Sequence, residues 1–244
     1  MRVGVVQFKA TKGDLTGSLD RLVALATQAA VGADLVVLPE MAATGYCFPS
    51  REAVEAIAEP ADGPTARALS AVARQAGCWL VVGFPEAAGD LLYNSALVLD
   101  PTGETAFVYR KTLLYDADVP WATPGDSGYP LLECAGVCFT VGICMDLNDD
   151  AFRGWLLEAR PRVLAFPTNW ISEGVSVWPY WAWRMLETGT ALVAANSYGP
   201  DGEVEFTGES VVIDGLEVLG AAPVEGDGYF LVDIPDEPSP APAE

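Results

Sequence analysis

Three apolar runs in this 244-residue chain each end in a group that can do chemistry. Leu35-Val36-Val37-Leu38-Pro39-Glu40 ends in a carboxylate, Phe107-Val108-Tyr109-Arg110-Lys111 in an ammonium, and Val141-Gly142-Ile143-Cys144 in a thiol. Such runs read as buried parallel strands, and ligand crevices in α/β sheets form at strand C-terminal ends. The chain contains no histidine. That removes Ser-His-Asp and Cys-His machinery and every His-ligated metal or haem site. A carboxylate, an ammonium and a thiol delivered in this way could make a nucleophilic site, with glutamate in the role histidine usually fills. An ammonium lowers the pKa of a nearby thiol, and a partly desolvated carboxylate can take a proton and return it.

The composition narrows the classes. A formal charge of -21 with only three lysines (Lys9, Lys12 and Lys111) repels phosphate backbones and anionic membranes, which argues against nucleic-acid binding. A lysine inside an apolar segment of so lysine-poor a chain, Lys111, stands out from generic surface lysines. The hydrophobic fraction is 51% and the mean hydropathy +0.25, yet no apolar run approaches the ~20 residues of a membrane span. The chain starts directly with strand-like Val3 to Phe8, so no signal peptide is expected, and the cytosol is the expected compartment. Five cysteines, an odd number, point to reduced thiols. Cys78 and Cys138 read as core packing. A metal site from Cys134, Cys138 and Cys144 is disfavoured for want of paired C-x-x-C spacing, and no metal or cofactor is expected.

The elements that must position the three groups follow from periodicity and turn residues. Val3 to Phe8, Asp34 to Leu38 and Trp79 to Phe84 read as strands. Helices span Ser18 to Ala30 and the stretch from Pro64 to Gly77. A hairpin pairs Asn94 to Leu99 with Glu104 to Arg110 through Asp100-Pro101-Thr102-Gly103. The second half repeats the plan: strand Val137 to Ile143, helix Ala151 to Ala159, strand Val163 to Phe166, helix Trp178 to Glu187 and strand Thr190 to Ala195. It too closes on a hairpin, Ser210 to Ile213 with Glu217 to Leu219, and Tyr229 to Ile234 forms a last strand. Two β-α-β-α-β halves ending in hairpins predict an α/β fold, two mixed sheets face to face with helices outside. Residues 1–235 read as one domain. The acidic, Pro-rich tail 236–244 is expected to be disordered or to lie over a neighbour.

With those groups stand Leu38-Pro39-Glu40, Tyr109-Arg110-Lys111-Thr112, Pro124-Gly125-Asp126 and Gly142-Ile143-Cys144-Met145-Asp146. Pro167-Thr168-Asn169-Trp170, Arg184 with Glu187, Asn196-Ser197-Tyr198-Gly199 and Gly208-Glu209-Ser210 follow. In order and spacing the set resembles the nitrilase superfamily of carbon–nitrogen hydrolases over nearly the whole chain. The resemblance implies an αββα four-layer sandwich, commonly dimerised, hence a homodimer here. It implies Cys144 as nucleophile, Glu40 as general acid/base and Lys111 as electrostatic stabiliser. The Met145 backbone N–H, just past the nucleophile, would be an oxyanion donor. The family usually places a second glutamate after the lysine; here Asp118, or Asp116, stands in that region, one methylene shorter. Leu113 replaces a histidine common among relatives. The stretch Gly142 to Asn148 with Trp121-Ala122 looks most like the protein N-terminal amidase branch, which deamidates Asn or Gln at peptide N-termini.

Tyr46, Phe48, Trp121, Asn169 and Trp170 are the expected substrate contacts, with Trp178 and Tyr180 as further candidates for the mouth. An aromatic pocket favours a neutral or cationic amide over a dicarboxylate. The expected reaction is hydrolysis of a linear, non-peptide C–N bond to acid plus ammonia through a Cys144 thioester. Competing readings are a catalytically silent protein of the same fold, a nitrilase or acyltransferase variant, and a thiol redox protein using Cys144 with Cys138 or Cys47. The last lacks a C-x-x-C motif and leaves Glu40 and Lys111 idle.

Overall fold

In the computed structural model, which describes residues 1–239, the first half alternates strand and helix. β1 (Arg2–Gln7) leads to α1 (Leu15–Ala29), β2 (Leu35–Val37), the short α2 (Arg51–Glu55), α3 (Pro64–Ala76) and β3 (Trp79–Ala88). The antiparallel strands β4 (Leu91–Leu99) and β5 (Thr105–Arg110) close the half. The second half runs β6 (Leu132–Cys134), β7 (Val137–Val141), a 3-10 turn (Cys144–Asn148), α4 (Asp150–Ala159), β8 (Val163–Thr168), α5 (Trp178–Met185) and β9 (Ala191–Asn196). A two-stranded hairpin, β10 (Tyr198–Asp201) and β11 (Val204–Thr207), precedes β12 (Val211–Asp214), β13 (Glu217–Ala221) and β14 (Gly228–Asp233).

One six-stranded sheet has the order β14-β1-β2-β3-β4-β5 and the other β13-β12-β9-β8-β7-β6. In each, three parallel strands are flanked by antiparallel ones. The expected duplication is therefore present: β4 lies against β3 as β12 lies against β9. Period-two side-chain alternation explains the layering. Leu35 and Val37 of β2 and Val163 and Ala165 of β8 meet in the core between the sheets. Their neighbours Val36 and Leu38 turn to α1 and α3, and Leu164 and Phe166 turn to α4 and α5. The four layers are αββα, as expected.

Local chemistry sets the boundaries. Pro64 opens α3, and Gly77 closes it at φ +67°, a left-handed turn that costs glycine nothing. α5 stops at Met185 rather than Glu187, because Leu186 is extended and Glu187 lies at φ +70°. Cys138 is exposed on β7, not packed in the core, because the β6–β7 hairpin at the sheet edge turns it outward; Cys78 is buried. Part of the tail is anchored on its own chain. Buried Arg162 forks onto Asp214 at 3.0 and 2.8 Å and donates to the carbonyls of Pro235 and Glu237, while the Ser239 hydroxyl donates to Asp214. Residues 240–244 of the expected tail lie outside the described residues.

Candidate active site

Glu40 lies three residues beyond β2. Gly83 of β3 donates to the Pro39 carbonyl at 3.0 Å and accepts from Ala42 N at 2.9 Å, so the chain bearing Glu40 runs hard against β3. A Cβ on residue 83 would stand 2.4 Å from Glu40 Cα; only glycine permits this approach. Lys111 follows β5 directly. Its N–H donates to Asn94 O at 2.9 Å and its carbonyl accepts from Gly125 N at 2.8 Å. Next to it, Arg110 forks onto Glu86 at 2.9 and 2.7 Å and stacks 3.9 Å over the Tyr93 ring. Two rigid strand ends thus hold the carboxylate and the ammonium.

The side chains meet in a fully buried cluster. Lys111 Nζ donates to Glu40 Oε1 at 2.8 Å and to Asp118 Oδ2 at 2.6 Å, with the Tyr46 hydroxyl at 3.5 Å. Asn94 Nδ2 bridges the two carboxylates, donating to Glu40 Oε1 at 2.7 Å and Asp118 Oδ1 at 3.1 Å. Asp118 is therefore the aspartate at the lysine; Asp116 is exposed. A turn in which Asp118 N bonds Tyr115 O at 2.8 Å brings the shorter side chain within reach. Asn94 is a participant that went unread in the sequence: a polar residue in an apolar strand, with no face assigned, carries a weak signal.

Charges decide the resting state. One ammonium faces two carboxylates. Burial opposes the charged ammonium, but Glu40, Tyr46 and Asp118 outweigh it and hold the lysine well above its ordinary value. Burial, reinforced by Asp118, pushes Glu40 up despite Lys111. Among the described residues, Glu40 Oε2 has no hydrogen-bond partner. A buried, unpaired carboxylate oxygen is costly unless it is used.

Cys144 sits where β7 has ended and the 3-10 turn begins, at φ +44°. A non-glycine residue held there stores roughly 1–3 kcal/mol. Its thiol is pushed up to about 12 by burial first and the Glu40 charge second, against Lys111, the Thr168 hydroxyl and the Asn169 backbone. At rest Cys144 is a protonated thiol. Met145 is the second residue of the turn, where N–H groups lack acceptors within a helix.

A third buried carboxylate, Asp146, ties the lysine loop to the turn that carries Cys144. Asp146 accepts from Ile143 N at 2.9 Å, Thr112 N at 3.0 Å, Thr112 Oγ1 at 2.8 Å, Leu113 N at 2.8 Å and Tyr109 OH at 2.7 Å. Backbone just after Lys111 and just before Cys144 is thereby held by one side chain.

Cys144 opens into a cavity of about 220 Å³, lined among others by Tyr46, Asn169, Trp170 and Met145. Of the expected contacts, Tyr46, Asn169 and Trp170 are there. Phe48 and Trp121 are not: they pack with Met41, Val54 and Leu92 behind Tyr46, where burying two large rings stabilises the loop that carries it. Trp178 donates its indole N–H to Glu209 O at 2.8 Å and packs beside Trp181, while Tyr180 reaches the mouth through Asn148. Tyr115, Ile171 and Glu173 complete the lining and went unread, being loop residues without periodicity. A groove of about 330 Å³ bearing Val175 and Tyr180 shares Trp170, Ile171 and Glu173 with the cavity. Among the described residues, no group of three or more His, Cys, Asp or Glu side chains is placed to hold a metal ion.

An αββα sandwich that brings a buried thiol, an ammonium and two carboxylates to its strand ends defines a nucleophilic hydrolase architecture. The family model for carbon–nitrogen hydrolase matches residues 2–237, and the chain belongs to that family. It is 36% identical over 199 residues to a nitrilase of Pyrococcus abyssi, covering 78% of this chain and 72% of that protein. A protein N-terminal amidase of Schizosaccharomyces pombe is 26% identical over 262 residues, covering 88% of this chain and 91% of its own. A solved amidase of Nesterenkonia sp. AN1, of the nitrilase superfamily, superposes with a TM-score of 0.82 at 28% identity, over 97% of this chain and 93% of that one. A variant of that amidase carries the acetamide moiety of fluoroacetamide at its active-site cysteine.

Proposed function

We propose that this enzyme is a cysteine-dependent amidase. It hydrolyses the linear, non-peptide C–N bond of a small amide, or of a terminal Asn/Gln-type amide, to a carboxylic acid and ammonia. The observation that carries this reading is the unpaired Oε2 of Glu40. Its other oxygen is fixed by Lys111 and Asn94, leaving one free acceptor beside a protonated thiol. The thiol proton passes to Glu40 as sulfur attacks the amide carbon. Lys111 and the Met145 N–H stabilise the oxyanion. Collapse breaks the C–N bond, and Glu40 returns the proton to departing ammonia. Water, deprotonated by Glu40, then cleaves the Cys144 thioester; acid leaves and the thiol is restored. The cysteine adduct of the Nesterenkonia amidase supports this chemistry.

The cavity supports the substrate class. About 220 Å³ accommodates a small amide head, and the adjoining groove lets a longer substrate lead outward. Glu173 is its one charged lining residue, which favours neutral or amine-bearing amides. An ammonia-release screen should rank amine-bearing and neutral amides above carboxylate-bearing ω-amides of equal length by roughly tenfold or more in kcat/KM, with the gap narrowing as salt is added. A preference for the carboxylate series would overturn the substrate class.

Asp118 fixes Lys111 and, through its charge, raises Glu40. Asp118→Asn is expected to lower kcat roughly 10- to 100-fold and to move the acid limb of the pH–rate profile to lower pH, because the charge that lifts Glu40 is gone. Rate profiles from pH 4 to 8 check both effects. The same reading takes the protein as a cytosolic homodimer. No described helix is long and apolar enough to cross a membrane, and exposed Trp183 and Val175 lie near the mouth as apolar surface for a second copy.

A further inference from the structure

A second cavity, of about 460 Å³, adjoins the one at Cys144 across Tyr46 and Asn169, and Lys9, Lys12, Arg21, Glu40 and Asp201 are its charged lining among the described residues. The chain has 13 Lys and Arg against 34 Asp and Glu, so its cations ordinarily find acids. Lys12 pairs with Asp201, Arg21 with Asp227 at 2.9 Å, and Arg162 with Asp214 at 2.8 Å. Lys9 does not. Among the described residues its ammonium makes no ion pair or hydrogen bond, and only the Tyr198 ring lies over it, at 5.8 Å. The other side-chain cations without an acidic partner, Arg2, Arg67, Arg74 and Arg160, are exposed, whereas Lys9 is half-buried. Ser197 lines the same cavity, is 9% exposed, and its hydroxyl likewise has no partner among the described residues.

With Lys12 and Arg21 neutralised by Asp201 and Asp227, and Glu40 on the same wall paired with buried Lys111, Lys9 is the lining cation left without a counter-ion among the described residues, and the Ser197 hydroxyl stands free in the same cavity. A half-buried ammonium is stabilised by an anion brought beside it. One negative charge balances the site; two would leave an excess next to Asp201 and Asp227. Phe8, Tyr46 and Phe206 give part of the remaining wall an apolar, aromatic surface. We propose that this cavity binds a small monocarboxylate with an apolar body, its carboxylate on Lys9 and Ser197, as a site separate from the cavity at Cys144. The inference holds whether or not the amidase reading does.

Calorimetric titration of the full chain with benzoate, benzamide and inorganic phosphate tests it. Benzoate should bind once per chain, and both benzamide and phosphate at least about tenfold more weakly. Lys9→Met should weaken benzoate about tenfold or more, Lys9→Arg should restore it, and Trp170→Ala, in the catalytic cavity, should leave it within twofold. Ser197→Ala gives an independent reading, expected at about three- to tenfold weaker binding. No binding by the unaltered protein, or loss in Trp170→Ala with none in Lys9→Met, would overturn the site. Benzamide equal to benzoate would overturn the charge argument, and phosphate equal to benzoate the single-charge argument. Failure of the amidase reading appears separately, as ammonia release that survives loss of Cys144.

Discussion

Cys144→Ala is expected to lower turnover of a linear amide by on the order of 10⁴-fold or more, with the melting temperature nearly unchanged. Alanine keeps the backbone at φ +44° and removes only a sulfur that lines a cavity, so little packing is lost. On the proposed mechanism, what disappears is the group that forms the acyl-enzyme. Lys111, Glu40 and the turn N–H groups would still polarise a bound amide, but no covalent path remains. Intact-mass measurement during turnover should show the acyl mass on the unaltered protein and not on Cys144→Ala. That pair of results also separates the amidase from a silent protein of the same fold. Ammonia release persisting at full rate in Cys144→Ala would end the assignment. Since the thiol stands at about 12, no alkaline limb from its ionisation is expected below roughly pH 10, and the profile should stay flat there while the fold holds.

Strand–helix alternation, the duplication and the layering were legible in the sequence because period-two and helical patterns mark which face each residue buries. Val36 against Val37, or Leu164 against Ala165, already separates the helix side from the sheet interface. Glu40, Lys111 and Cys144 were legible because each terminates such a run. The choice between Asp118 and Asp116 was not, since it depends on how the Tyr115–Trp121 turn folds over the lysine. Phe48 and Trp121 misled for a related reason: an aromatic near a strand end serves a pocket or the wall behind it, and sequence does not distinguish them. Asp146 was visible as a motif residue, yet its five hydrogen bonds come from segments brought together only by the fold. The hairpin β10–β11 was missed because Tyr198-Gly199-Pro200-Asp201 and Val204-Glu205-Phe206-Thr207 form no apolar run of the kind that marks the other strands.

Glu40→Gln is expected to cost on the order of 10³-fold in kcat or more while making the protein more stable, and the two effects have one origin. At rest the buried cluster carries one positive and two negative charges, and Glu40 is held above the ordinary carboxylate range by burial. A carboxyl group whose folded pKa is raised above its unfolded value of 4.5 loses stability as pH rises from that value through the raised one, because the folded state holds the proton more tightly. An ionised Glu40 is therefore a strained element of the fold, consistent with the proton-accepting role proposed for it. Glutamine is nearly isosteric. Its Oε1 can still accept from Lys111 and Asn94, which stand at 2.8 and 2.7 Å from Glu40 Oε1, while Lys111 keeps Asp118 as its counter-ion. Removing the excess charge should stabilise the fold by about 1 kcal/mol, or roughly 2–4 °C in Tm for a chain of this length. The gain should shrink as pH falls through the raised Glu40 value, where Glu40 in the unaltered protein takes up its proton. Thermal melts of both proteins at pH 5 and pH 7.5, beside rate measurements, check the coupling. Lower stability of Glu40→Gln at pH 7.5 would mean that the Lys111 ion pair outweighs the burial of the carboxylate, and that the free oxygen at this site is not the strained proton acceptor on which the mechanism turns.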